Sequence, residues 1–258
     1  MQPAATLTLV ALPGLGPVAI GDDLGARIAE AAARERFVLA SGDVVAVAQK
    51  VVSKAEGRYA VLEEVMPSPE AQALAARCLK DPRLVELVLR ESREVLRAAP
   101  NVLVVEDRRG LVLANAGIDQ SNVEPDAAGR ARALLLPEDP DASACRLREG
   151  LRARLGIEVA VIINDSLGRA WRLGTVGTCI GASGLPALLD LRGRSDLYGR
   201  ALQTTEVGHA DELAAAASLL MGQAGEGRPV VVIRGLPAPA REGAARELQR
   251  PHAKDLFR

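Results

Sequence analysis

Hydrophobic positions in this chain recur with two periods, and the alternation between them sketches the fold. "TLTLVALPGL" from Thr6 is a short apolar run that reads as a strand. In "GDDLGARIAEAAARERF", Leu24, Ile28, Ala31 and Ala32 return to one face at helical spacing, with Asp22 or Asp23 placed to cap the start. "DVVAVAQKVVSK" from Asp43 is β-branched and bounded by Gly42 and Gly57, which predicts a strand emerging into a polar end. "SPEAQALAARCLK" and "DPRLVELVLRESREVLRA" each open on a capping residue, Ser68 or Asp81, followed by proline, and predict two helices.

"VLVVEDRRGLVLANAG" has two apolar runs around Asp107 to Gly110, a hairpin signal in which Gly110 supplies the positive φ. Residues 123–141 are rich in Pro and Asp, and their first part reads as a surface loop. A helix from Asp141 to about Leu155 then leads to the strand "EVAVIIND". "SLGRAWRLGTVGTCIGASGL" is punctuated by glycine, "HADELAAAASLLMGQ" is a small-residue helix ending near Gly222, and "PVVVIRG" is a final strand. Strands and helices alternate irregularly and hairpins recur. The pattern predicts an α+β fold rather than a doubly wound parallel sheet, with no internal repeat.

The 258 residues are enough for one large domain or two small ones. Lys plus Arg number 32 and Asp plus Glu 33, a net charge of −1, which argues against a general electrostatic grip on nucleic acid or membrane. The N-terminal apolar run has neither the basic flank nor the length of a secretory signal or membrane span. The three cysteines, Cys78, Cys145 and Cys179, are far apart and read as small core residues in a reducing cytoplasm. With few imidazoles and thiols available, any metal is held by oxygen, which favours magnesium, manganese or calcium.

Candidate chemistry gathers in a few polar stretches. "NAGIDQSN", Asn115 to Asn122, holds more oxygen and nitrogen side chains than a turn needs. Asp119 and Asp165 each follow an apolar run, with Asn122 and Ser166 nearby; two such carboxylates brought together need a divalent cation or a shared proton, although each alone reads equally as a turn cap. Lys50 and Lys54, an even number of residues apart on the expected strand, share one side, either as a phosphate clamp or as guards of an edge strand, with Arg58 just beyond. "MGQAGEG" carries Gln223 and Glu226 as possible ligands or exposed polar residues after a glycine cap. The glycines at 174, 177, 181 and 184 match neither GxGxxG nor P-loop spacing and suit close packing as well as ligand approach. Trp171, between Arg169 and Arg172, reads as a packed aromatic or as the face of an anion site, and His209 as a helix-start residue.

Taken together and in order, "GDVVAVAQKVVSKAEGR", "KDPRLVELVLRESREVLR", "LVLANAGIDQSNV", "LLLPEDPDASA", "VAVIINDSLGRAWRLGTVGTCIGASGL" and "LLMGQAGEGRPVVVIRGL" resemble the coenzyme F-420:γ-glutamyl ligase family, from about Ala11 to Leu236. The resemblance implies a ligase that uses GTP and divalent ions, a pair of magnesium or manganese, to attach L-glutamate to the lactyl-phosphate side chain of a deazaflavin coenzyme precursor, with potassium as a further monovalent cation. It implies a two-part α+β fold without P-loop or Rossmann unit, a single ligase module or two interleaved subdomains, and a homodimer. No C-terminal nitroreductase-like domain, and hence no flavin, is expected.

By the same resemblance, metal ligands fall on Asp119, Asp165, Ser166 and Gln223. GTP contacts fall on Leu12, Pro13, Gly14, Leu15, Gln49, Lys50, Lys54, Asn122, Met221, Gly222, Gln223, Ala224, Gly225, Glu226, Gly227 and Arg228, with Asp119, Asp165 and Lys54 as the catalytic set. Two positions depart from the pattern: Ser166 stands where the family commonly has threonine, and Gly225 where it has aspartate. A nucleotide or anion sensor without turnover, and a glutamate ligase for another carboxylate, are the alternatives.

Overall fold

The computed structural model describes residues 5–237 and 241–255. Strand β1 (Thr8–Leu12) is followed by helix α1 (Leu24–Arg34), whose N-cap is Asp23 and whose Leu24, Ile28, Ala31 and Ala32 are buried as the spacing predicts. Strand β2 (Val44–Ala48) is shorter than expected. At Ala48 the chain turns into helix α2 (Gln49–Ala55), so Lys50 and Lys54 stand one helical turn apart instead of on a strand. They still share a face, because residues four apart are neighbours on a helix just as even spacings are on a strand.

A short strand β3 (Tyr59–Val61) precedes helices α3 (Pro69–Cys78) and α4 (Pro82–Arg90), capped by Ser68 and Asp81. The expected second helix is cut in half: from Ser92 the chain is strand β4 (Ser92–Ala99), which pairs with β5 (Val102–Asp107) and, through it, with β6 (Val112–Ala114). "SREVLRA" has enough β-branched and long side chains to serve either state, and pairing with the apolar β5 decides it. Within the expected loop lies β7 (Arg132–Leu134), antiparallel to β3, with Ala133, Leu134 and Leu136 fully buried.

Helix α5 (Pro140–Leu155) is capped by Asp139, slightly earlier than anticipated. Asp141 is thereby released from capping, and its buried carboxylate accepts from the amides of Ala182, Ala245 and Arg246 and from the Arg246 side chain. Strands β8 (Ala160–Arg169) and β9 (Arg172–Ser183) form one long hairpin through the glycine-punctuated region. A two-stranded ribbon of β10 (Leu189–Asp190) and β11 (Glu206–Val207) follows, then helix α6 (His209–Met221) and strand β12 (Val230–Arg234).

The main sheet runs β1-β12-β2-β8-β9, parallel only between β2 and β8. One face carries α1 and α5 over Val45, Val47, Val161 and Ile163; the other carries α6 over Ala46, Ile162, Val231 and Ile233. Alternation along the strands sends successive side chains to the two cores. A third core joins α3, α4, β5 and the β3 and β7 strands around Val85, Leu103 and Val105. Residues 241–255 reach from Asp141 to β5, where His252 meets the buried Glu106 at 3.0 Å.

Glycines 177 and 181 pack rather than open a path: a Cβ on Gly177 would lie 2.4 Å from the Ala214 carbonyl oxygen, and one on Gly181 2.3 Å from that of Pro140. Cys78 and Cys179 are buried as expected, but Cys145 is exposed on α5. Trp171 is not packed: it sits at the β8–β9 turn, 87% exposed, in the left-handed conformation.

Candidate functional site

The polar ends of β2 and β8 meet at a cleft of about 670 Å³, closed by the segments Gly14–Val18, Asp119–Asn122 and Met221–Pro229. Strand β2 delivers Gln49, Lys50 and Lys54 by continuing into α2, and the parallel neighbour β8 delivers Asn164, Asp165 and Ser166 at the same level, since Ala48 pairs with Asn164. Asp119 arrives from the turn after β6, where Asn115 and Ala116 adopt positive φ and the Asp119 backbone bridges to Leu134. The loop after α6, capped by Gly222, supplies Gln223.

The charges are arranged in opposed pairs. Lys50 Nζ lies 2.6 Å from Asp119 Oδ2 and also donates to the Ser121 hydroxyl and carbonyl. Burial would raise the Asp119 carboxyl, but the Lys50 ammonium and the Ser121 amide outweigh it and hold it below the usual range. The buried Lys54 meets Glu124 at 2.6 Å. Asp165 behaves in the opposite way. Burial, reinforced by the Asp119 charge and only partly offset by the Ser166 amide and Lys50, pushes its carboxyl up to about 6. A carboxylate whose ionisation is opposed by burial and by a neighbouring carboxylate is what a divalent cation relieves.

Whether the residues suit such an ion follows from their chemistry. Among the described residues no group of three or more His, Cys, Asp and Glu could hold a metal. A site here therefore needs neutral oxygens beside Asp119 and Asp165, and the Ser166 hydroxyl and the Gln223 carboxamide line the same cleft. Gln223 donates its Nε2 to Ser218 Oγ at 2.9 Å, which leaves its oxygen for the cleft. Asn164 adds a buried carboxamide oxygen without a hydrogen-bond partner. An all-oxygen set of this kind fits magnesium or manganese.

Of the nucleotide contacts expected, Gly14, Leu15, Gln49, Lys50, Lys54, Asn122 and Met221 through Arg228 all line the cleft. Leu12 and Pro13 do not: Leu12 is fully buried at the end of β1, facing the core, and Pro13 is exposed beyond it. Glu226 folds back on its own loop to accept from the Ala224 amide, and Gly225 is exposed with open space around it. Arg169 and Arg172 stand on the exposed β8–β9 turn, outside the cleft lining, and His209 starts α6 half-buried. Sequence reasoning missed Asn164 and Glu124, and had Ser121 only as part of the polar turn 115–122. Asn164 directly precedes Asp165 in "IIND", a signal within reach of the sequence; Glu124 lies in a loop whose path no local pattern gives.

Fold and cleft together define an α+β protein that assembles two acids, two lysines and three loop segments at strand ends, without a P-loop or dinucleotide fingerprint. A model of the F-420-0:gamma-glutamyl ligase family matches residues 14–235. The chain is 49% identical to coenzyme F-420:L-glutamate ligase of Methanopyrus kandleri over 98% of both chains, and 46% identical to that of Methanothermobacter thermautotrophicus over 98% of this chain and 99% of the relative. It is 47% identical to the Archaeoglobus fulgidus protein of the same name over 95% and 94%. The chain belongs to the F-420-0:gamma-glutamyl ligase family.

Proposed function

We propose that this protein is a GTP-dependent ligase that joins L-glutamate to the lactyl-phosphate side chain of the deazaflavin coenzyme precursor. The convergence of Asp119, Asp165, Lys50 and Lys54 on one cleft carries the reading, and the names of the relatives supply the acceptor and the amino acid. A carboxylate oxygen of the precursor attacks the γ-phosphorus of GTP, the bond to the β-phosphate oxygen breaks, and GDP leaves. The amine of glutamate then attacks the acyl carbon, loses a proton and expels phosphate, leaving an amide.

Lys50 and Lys54 present ammonium groups where negative charge spreads over the transferring phosphoryl group. Asp119, Asp165, Ser166 and Gln223 would hold divalent ions, which supply Lewis-acid polarisation of the phosphoryl oxygens. Solvent-exposed Trp171 and Leu173 on one ribbon, and Leu197 and Tyr198 on the next, support a homodimer that covers them. No described helix is long and apolar enough to cross a membrane. The balance of charge and the unpaired cysteines support a cytoplasmic place.

Incubation with GTP, manganese, glutamate and the precursor tests the assignment. The expected result is GDP release that requires the precursor, with a glutamyl amide seen by mass spectrometry. Tight GTP binding without product would replace the ligase with a sensor.

A further inference from the structure

The loop from Gly14 to Val18 separates two cavities: the main cleft on one side and, on the other, a hollow of about 260 Å³ lined by Leu15, Gly16 and Pro17 together with Arg27, Glu30 and Arg34 of α1. From that second side two arginines grip the loop by its carbonyls. Arg27 donates to the carbonyl oxygens of Leu15 at 2.8 Å and Pro17 at 2.7 Å while Asp22 holds its other nitrogen at 2.9 Å, and Arg34 donates to that of Gly14 at 2.5 Å. In a planar trans peptide the N–H of the next residue points opposite to the carbonyl. With three carbonyls drawn toward α1, the amides of Leu15, Gly16 and Val18 are turned away from it, toward the cleft.

Among the described residues none of those three amides donates a hydrogen bond. Gly14 and Gly16, on either side of Leu15, have φ of +79° and +66°, the left-handed values that backbone hollows binding anions through successive N–H groups employ. Unpartnered amides in a partly enclosed place are costly unless a ligand accepts from them.

We infer that Arg27 and Arg34 are positioning residues: they touch no substrate, but by holding the loop's carbonyls from behind they aim its amides at a phosphate group in the cleft. The inference rests on the nucleotide reading of that cleft, and it gives the arginines of α1, which line no part of the main cleft, a role in it. The same grip preorganises the loop, so its loss is felt in anion affinity and not in the chemistry at the carboxylates.

The probe is inorganic tripolyphosphate, which has phosphates but no base, titrated into the full ¹⁵N-labelled protein by calorimetry and by amide shifts. The amides of Leu15, Gly16 and Val18 are expected to move. Arg27→Ala and Arg34→Ala are each expected to weaken tripolyphosphate about tenfold, the scale of one charge-assisted hydrogen bond. Manganese affinity and the circular dichroism spectrum should stay at the wild-type values, with at most a small drop in the thermal midpoint from the lost bonds. Arg27→Lys, whose ammonium has donors for both carbonyls, should recover most of the loss.

Three results would overturn the inference: no tripolyphosphate binding by the wild type, unchanged binding in both alanine variants, or parallel loss of manganese and anion affinity. If the wild type binds tripolyphosphate through these amides yet makes no glutamyl amide, the ligase reading fails and this one stands.

Discussion

Asp119 and Asp165 lie in one cleft yet titrate in opposite directions, because one is met by an ammonium at 2.6 Å and the other is mainly buried. Removing a single carboxylate should therefore leave the fold intact. Asp119→Asn is expected to lower GTP- and manganese-dependent glutamylation by about two orders of magnitude or more, the range for loss of a strong transition-state electrostatic contact, with an unchanged circular dichroism spectrum. Full activity in that variant would remove Asp119 from the chemistry. Gly177 is the opposite kind of residue: it touches the site only through packing. An added methyl would meet the Ala214 carbonyl oxygen, Ser218 Cβ and Asn164 Oδ1, all within 2.8 Å. Gly177→Ala should destabilise the protein by about 1–3 kcal/mol in urea denaturation, the ordinary cost of overpacking.

At the level of elements, caps and amphipathic faces were legible and boundaries set by partners were not. Ser68 and Asp81 cap α3 and α4 as their sequences announce, since a cap is a contact between residues two or three apart. The end of β2 and the switch from α4 to β4 depend on what lies beside them in the sheets, which no local window contains. The site followed the same rule. Asp119, Asp165 and the lysines stood out by residue type and Asn164 stands beside one of them, whereas Glu124 matters only through where the chain brings it.

Asp81 offers a test at this scale. Its carboxyl is held below the usual range by the Arg83 side chain, which outweighs the opposing effect of burial, with the Arg83 amide adding to the depression. A depressed carboxyl stabilises the fold above its unfolded value of about 4 and loses that contribution as the pH falls through its folded value. Asp81→Ala should cost about 1 kcal/mol at pH 7 and progressively less below about pH 4, measured by urea midpoints across that range.

Over the whole molecule, the two apolar ribbon tips stand apart from the three cores. Trp171 and Leu173 at one tip, and Leu197 and Tyr198 at the other, are each at least 86% exposed. If they are the covered faces of a homodimer, replacing Leu173 and Leu197 with serine should shift the sedimentation mass from two chains to one. Equal masses for variant and wild type would assign the tips another role.

The clasp at Asp141 bears on a different matter, the order in which the molecule can be completed during synthesis. One carboxylate gathers an amide from β9 and two from residues 245 and 246, so the helix, the sheet edge and the segment 241–255 are closed by a single acid. A growing chain can lay down α5 and β9 early, yet this knot stays untied until residues 245 and 246 have left the ribosome. Chains released short of it should be cut by protease near β9 far sooner than complete ones.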